Sequence, residues 1–157
     1  MPKISTCLTY ATQAEEAANH YVSVFDGKIG NVMRVGEGAP LPAGSVITAT
    51  FELFGETFMA LNSGASFGFT AGMSLFVTCD TQAEIDRYWS KLLEGGGKEV
   101  RCGWITDKFG VSWQIVPKIL PELLGDKDKA KAKRAMEAMI GMQKLDIAAL
   151  KRAHEGG

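Results

Sequence analysis

Histidine is scarce in this 157-residue sequence, with two copies, and cysteine is hardly commoner, with three, at positions 7, 79 and 102. An odd number of cysteines without CxxC spacing argues against a disulfide framework and against a cysteine-rich zinc site. Reduced, mostly buried thiols are the expectation. An excess of one charge is also missing. With 17 Lys and Arg against 18 Asp and Glu the net charge is −1, so no global field draws the chain to nucleic acid or to an anionic membrane. No apolar run approaches the roughly 20 residues that span a bilayer. The opening MPKISTCLTY lacks the pattern of a secretory signal, so the expected address is cytoplasmic. What remains is ordinary for a folded protein: 46% hydrophobic and 22% charged residues, in a length that suits a single domain over 1–157.

The chain repeats itself. TQAE occurs at 12–15 and again at 81–84, each time after a run rich in β-branched and aromatic residues. Thr three residues before Glu is a capping box, so helices are expected to start at Thr12 and Thr81. The first carries Ala14, Ala17, Ala18, Tyr21, Val22 and Phe25 at helical spacing, the second Ile85, Trp89, Leu92 and Leu93. Both run into glycine, at Gly27 and at Gly95 to Gly97, where helix ends take left-handed backbone. A second echo pairs FGETFMAL at 54–61 with FGVSWQIV at 109–116, each a glycine turn entering a strand, with TATFEL and GWITD as the preceding arms. The result is two copies of strand, helix and antiparallel strands, over 4–62 and 74–117, joined by a linker at 63–73. The first copy is longer, mainly in RVGEGAPLPAGS at 34–45, a loop that either stays exposed or folds over a cavity mouth.

Residues 118–157 belong to neither copy and have helical composition, with breaks expected near Pro121, Gly125 and Gly141 and a cap at Asp146. Met136, Met139 and Ile140 form an apolar face for packing against the body or a second subunit. The alternating charges of DKDKAKAKR suit a solvated face.

The stretch DKFGVSWQIVP at 107–117 poses the functional question, because Gln114 lies between Trp113 and Ile115 in a strand. Alternate residues of a strand face opposite sides. Phe58, Ala60, Trp113 and Ile115 suit the side covered by helices. Met59 and Leu61, and Ser112, Gln114 and Val116, then face the other way, together with Ser5, Cys7 and Thr9 and with Ser74, Phe76 and Thr78. A few polar groups among apolar ones suit a concave small-molecule pocket, whereas a wet sheet face would carry more Lys and Glu. Trp104 serves equally well as a ligand stacker or a hairpin core aromatic. Asp107 is expected to shape the turn before Phe109, and Asn62 to end its strand in a turn with Ser63 and Gly64.

The doubled plan, with DKFGVSWQ in place of a D-P-x-G-x-x-aromatic-E signature, resembles the vicinal oxygen chelate superfamily of glyoxalase I, extradiol dioxygenases and bleomycin-resistance proteins. Within it, FMALNSG, CDTQAEIDRYWSKLLEGGG, CGWITDKFGVSWQIVPKILPELL and AMEAMIGMQKLDIAALKRAH resemble the PhnB-like group over nearly the whole length. The resemblance implies an α+β fold of paired βαβββ modules, a cupped antiparallel-rich sheet with helices on its outer face, commonly as a homodimer. It also implies a divalent metal in the superfamily's metalloenzymes, held at positions that fall here on Ser5, Met59, Ser74 and Gln114. Hydroxyls and a thioether are poor ligands for such ions, and His20 and His154 lie elsewhere, so neither metal nor cofactor is expected. Members of the group often carry the label 3-demethylubiquinone 3-methyltransferase, yet TCLTYATQAEEA has no glycine-rich turn after its strand.

Three functions follow. The favoured one is a metal-free protein that binds a small, partly apolar molecule through Cys7, Thr9, Met59, Leu61, Ser74, Phe76, Trp104 and Gln114. The second is an enzyme working through side chains alone, with Cys7 or Cys102 as nucleophile and Glu52 or Asp107 as base. The third is a partner protein acting through the C-terminal helices.

Overall fold

The computed structural model describes residues 1–157, which fold into two compact units, Met1–Gly68 and Phe69–Gly157. Each holds one βαβββ module with its own four-stranded sheet, so the fold is α+β as the repeats imply.

Unit 1 runs β1 (Thr6–Tyr10), α1 (Ala14–Phe25), β2 (Lys28–Arg34), β3 (Val46–Leu53) and β4 (Glu56–Asn62), with sheet order β1-β4-β3-β2. β1 and β4 are parallel and the other neighbours antiparallel. Helix α1 covers one face, burying Ala14, Ala17, Ala18, Tyr21 and Val24 against Leu8, Tyr10, Phe51 and Ala60. The Tyr10 and Tyr21 hydroxyls meet at 3.2 Å, and Phe51 stacks on Phe58 at 5.3 Å between centroids.

The start of α1 differs from the expectation. The helix begins at Ala14 after Gln13, and Thr12 makes no capping box. Its first N–H is instead accepted by the Asn62 side chain, with Oδ1 at 2.8 Å from Ala14 N, while Asn62 Nδ2 donates to the Val46 carbonyl at 3.1 Å. Asn62 does end β4, but it also ties a helix start to the start of β3. The helix end departs as well, because the left-handed residue is Asp26, with φ 52°. Gly27 is required for closeness instead: a Cβ there would lie 2.3 Å from the Glu52 carbonyl oxygen.

Unit 2 runs β5 (Leu75–Cys79), α2 (Gln82–Leu93), β6 (Lys98–Glu99), β7 (Trp104–Thr106) and β8 (Ser112–Pro117), in the matching order β5-β8-β7-β6. Here the capping box forms as expected: Thr81 Oγ1 accepts from Glu84 N at 3.2 Å and Glu84 Oε2 accepts from Thr81 N at 3.2 Å. Ile85, Trp89 and Leu92 are buried with Trp113 and Ile115, and Gly95 and Gly96 take left-handed backbone after the helix.

Three helices complete unit 2: α3 (Leu120–Leu124), α4 (Lys129–Ile140) and α5 (Ile147–Glu155). Pro121 does not break a helix but sits in the first turn of α3, where its missing N–H costs nothing. Asp128 and Asp146 cap α4 and α5. Leu120, Leu123, Ala135, Leu145 and Leu150 bury Val116 at the end of β8. The expected methionine face is divided, since Met139 packs against this cluster while Met136 and Ile140 stay exposed.

Polar clasps fasten the segment. Gln82 donates to the Leu145 carbonyl at 3.0 Å and accepts from Ile147 N at 2.8 Å, and Cys102 N and Gly103 N donate to the Met142 and Gln143 carbonyls at 2.9 and 2.8 Å. Buried His154 lies between Asp126 and Glu155, with ring nitrogens 2.8 and 3.0 Å from the carboxylates. A hydrogen bond to Asp128 N, then that to His154, holds the Asp126 carboxyl below its usual range. No helix is long and apolar enough to cross a membrane.

Replacing Asn62 by Ala is expected to cost about 1–2 kcal/mol of unfolding free energy, as for a lost cap, and Thr81→Ala about 1 kcal/mol. Thr12→Ala should stay within about 0.5 kcal/mol of the parent. Urea unfolding of the three variants checks the order, and an equal loss for Thr12 and Asn62 would contradict the cap described for α1.

Candidate functional site

The turn before β8 sets the position of Gln114. Asp107 is buried, and its Oδ1 accepts from Phe109 N at 2.9 Å and Val111 N at 3.0 Å, while Oδ2 accepts from Trp113 Nε1 at 2.9 Å. This confirms Asp107 as the shaper of the turn. With Trp113 held on the helix side, Gln114 emerges on the opposite face, opposite Phe76 of β5 and Trp104 of β7. Its Nε2 donates to Ser74 Oγ at 2.9 Å.

Gln114 is half-buried between Ser112 and Val116, the next residues on its own face, which are both buried. Trp104 and Ser74 are also half-buried, and Phe76 is 57% exposed. In unit 2, then, the predicted residues Ser74, Phe76, Trp104 and Gln114 gather on one sheet face. Ser112 and Val116, which alternation also placed there, are taken up in packing.

In unit 1, Cys7 pairs in register with Met59 and Thr9 with Leu61, on the sheet face opposite α1. Cys7 is exposed and the other three half-buried. Thr50 and Thr48 of β3 continue the same rows. Each sheet thus presents its own mixture of apolar and small polar side chains.

The loop at 34–45 does something else. Leu41, Pro42, Gly44 and Ser45 wall a cavity of about 390 Å³ together with Thr12, Glu15, Arg34 and Asn62. None of the eight predicted binding residues lines it. From the sequence, this loop is either an exposed strand connection or a cover over a cavity mouth. The signal that could have found the cavity is the pairing of the first repeat's surplus residues with Arg34 at their head.

The superfamily's metal does not fit the donors present. Ser5 is exposed, Met59 offers a thioether, and Ser74 is bonded to the one amide that could ligate. No three His, Cys, Asp or Glu side chains gather to hold an ion. The two carboxylates considered as bases already have partners. Asp107 is committed to three hydrogen bonds and Glu52 pairs with Lys28 at 3.3 Å. The thiols correct the expectation of general burial, because only Cys79 is buried, Cys102 is half-buried and Cys7 is exposed. Burial, then the charges of Glu84 and Asp80, push the Cys79 thiol up to about 12.

The comparisons fit this geometry. The family model described as 3-demethylubiquinone-9 3-methyltransferase matches residues 2–116. The chain belongs to this family. It is a PhnB-like member of the vicinal oxygen chelate superfamily, as its two βαβββ modules indicate. The family match ends just before the three C-terminal helices.

Among solved structures, a putative 3-demethylubiquinone-9 3-methyltransferase, PhnB protein, from Bacillus cereus is 41% identical over 74% of this chain and 99% of its own, with a TM-score of 0.68. A Pseudomonas aeruginosa protein is 23% identical over 74% of this chain and 98% of its own, with a TM-score of 0.63. The fosfomycin resistance protein FosX from Mesorhizobium loti is 15% identical over 80% and 98%, with a TM-score of 0.58. The last two share the fold alone. No curated protein matches the chain.

Iodoacetamide near neutral pH is expected to label Cys7 first, Cys102 more slowly and Cys79 only after unfolding, because a buried thiol of raised pKa holds almost no thiolate. Peptide mass mapping of a time course checks this, and labelling of Cys102 well ahead of Cys7 would reopen the case for an activated thiol.

Proposed function

We propose that this PhnB-like protein binds a small, partly apolar molecule on the Gln114 face of its second sheet, without a metal. The observation that carries the reading is Gln114 itself. Its amide is half-buried between two buried neighbours and is aimed by Ser74, beside the exposed ring of Phe76 and the indole of Trp104. Ser74 takes one of the two amide N–H groups. The second N–H and the carbonyl oxygen are left to orient a ligand whose apolar part rests on Phe76. Planar aromatic molecules with a hydroxyl or carbonyl suit such a site, since a few polar groups on an apolar surface fix orientation.

In the first sheet, Cys7, Thr9, Met59 and Leu61 offer a second such face, more apolar and without an amide. Homodimerisation and a cytoplasmic address belong to the same proposal, on the strength of the superfamily resemblance.

The Bacillus cereus relative is titled a putative methyltransferase. An S-adenosylmethionine site of the usual kind needs a glycine-rich turn after the first strand of a doubly wound parallel sheet. Here each sheet has one parallel pair among antiparallel neighbours, and β1 is followed by Ala11, Thr12 and Gln13. Methyl transfer is therefore disfavoured.

Thermal-shift and NMR titration with phenol, 1-naphthol and menadione tests the binding reading. A ligand at 100 times its Kd should add about 2.7 kcal/mol of stability, move the Gln114 side-chain amide signals, and lose both effects in Gln114→Ala. Unmoved amide signals with all three probes would remove the proposal, and transfer of a labelled methyl from S-adenosylmethionine to a demethylated quinone would replace it.

A further inference from the structure

The cavity under the 35–45 loop belongs to unit 1 and is separate from the sheet faces. We propose that it is a second ligand site, which takes a small zwitterion of the α-amino acid class with an apolar side chain. Its volume of about 390 Å³ lies in the range of small-molecule sites, roughly 300–1,000 Å³.

The wall carries one cation and one anion in contact. Arg34 Nη2 lies 2.5 Å from Glu15 Oε1, and the two side chains are 49% and 43% exposed. A guanidinium has five N–H donors, of which Glu15 and the Gly44 carbonyl, 3.1 Å from Nη1, take one each. The carboxylate likewise has acceptor sites beyond its one bond to Arg34.

This charge pattern selects its ligand. An anion alone would reach Arg34 only by lying beside the Glu15 carboxylate, and a cation alone would meet the guanidinium. A molecule with a carboxylate and an ammonium a few bonds apart satisfies both: the carboxylate takes further Arg34 donors and the ammonium donates to Glu15. The Thr12 and Ser45 hydroxyls stand on the same wall for the remaining polar atoms, and Leu41, Pro42 and Val46 supply the apolar part.

The site is held open before any ligand arrives. Val35 N donates to the Ser45 carbonyl at 2.8 Å and Gly44 N to the Val35 carbonyl at 2.9 Å, closing the neck of the loop. Asn62, bonded to Ala14 N and the Val46 carbonyl, fixes the opposite wall. Little ordering is left to offset on binding. The second repeat has no residues to build a counterpart, because the surplus of the first copy falls in this loop.

NMR titration with L-leucine, N-acetyl-L-leucine and L-leucinamide tests the assignment. L-leucine is expected to shift the amides of Thr12, Gly44, Ser45 and Val46, and each blocked analogue to bind about tenfold more weakly or worse, the loss of one charge-assisted contact. Arg34→Ala and Glu15→Gln should each abolish the L-leucine shifts. Lys118→Ala, on unit 2, should leave them unchanged. Glu15→Gln keeps the size of the side chain, so a folded variant that still binds L-leucine as the parent does would overturn the proposal. Absence of L-leucine shifts at this loop, or equal binding of the three compounds, would overturn it too.

Discussion

One buried carboxylate governs the second sheet. Asp107 accepts two main-chain N–H groups from the turn and the indole N–H of Trp113, and so fixes where the turn ends and which way the first residues of β8 point. Strand side chains alternate, so pinning Trp113 on the helix side places Gln114 on the other side without further instruction. Register slips of one residue would exchange the two faces. The Trp113 indole is nearly inaccessible, and a strand that turned it outward would forfeit its burial as well as its bond to Asp107. The Gln114 face of unit 2 is thus a by-product of core packing behind it.

The first sheet reaches the same alternation by another route. Its Phe-Gly pair forms a two-residue turn in which both residues have positive φ, 51° at Phe54 and 84° at Gly55, as a tight hairpin requires. Phe54 takes a conformation that disfavours a bulky residue, and its ring packs edge-on against Phe25 with centroids 5.8 Å apart. In the second copy the same dipeptide needs left-handed backbone only at Gly110, because Asp107 spreads the turn over more residues. Matching letters therefore hide two turn geometries, and what sets them apart is the residue two positions before each phenylalanine, Glu52 in one copy and Asp107 in the other.

Much of the fold was legible because it rests on local signals. Repeats, strand alternation and the Thr81 capping box are each written within a few residues. The identical TQAE at 12–15 failed for a non-local reason: Asn62, from the far end of the module, reaches the N–H of Ala14 first. No spacing rule reveals a partner 48 positions away. Cysteine exposure departs from the expected burial for a related cause, since Cys7 lies on the sheet face that no helix of its unit covers. The two sheet faces are legible through period-two alternation, which places Cys7, Met59 and Leu61, and Phe76 and Gln114, away from the helices. The cavity beside Arg34 is not, because its walls come from four separate stretches of chain.

The C-terminal helices bound the Gln114 face at one end of β8. By burying Val116, they occupy the next step along the strand beyond Gln114, a step of roughly 7 Å. They act as an end-stop for the Gln114 face, so a ligand bound as proposed has its open direction sideways, toward Phe76, which pairs with Gln114 and stays exposed.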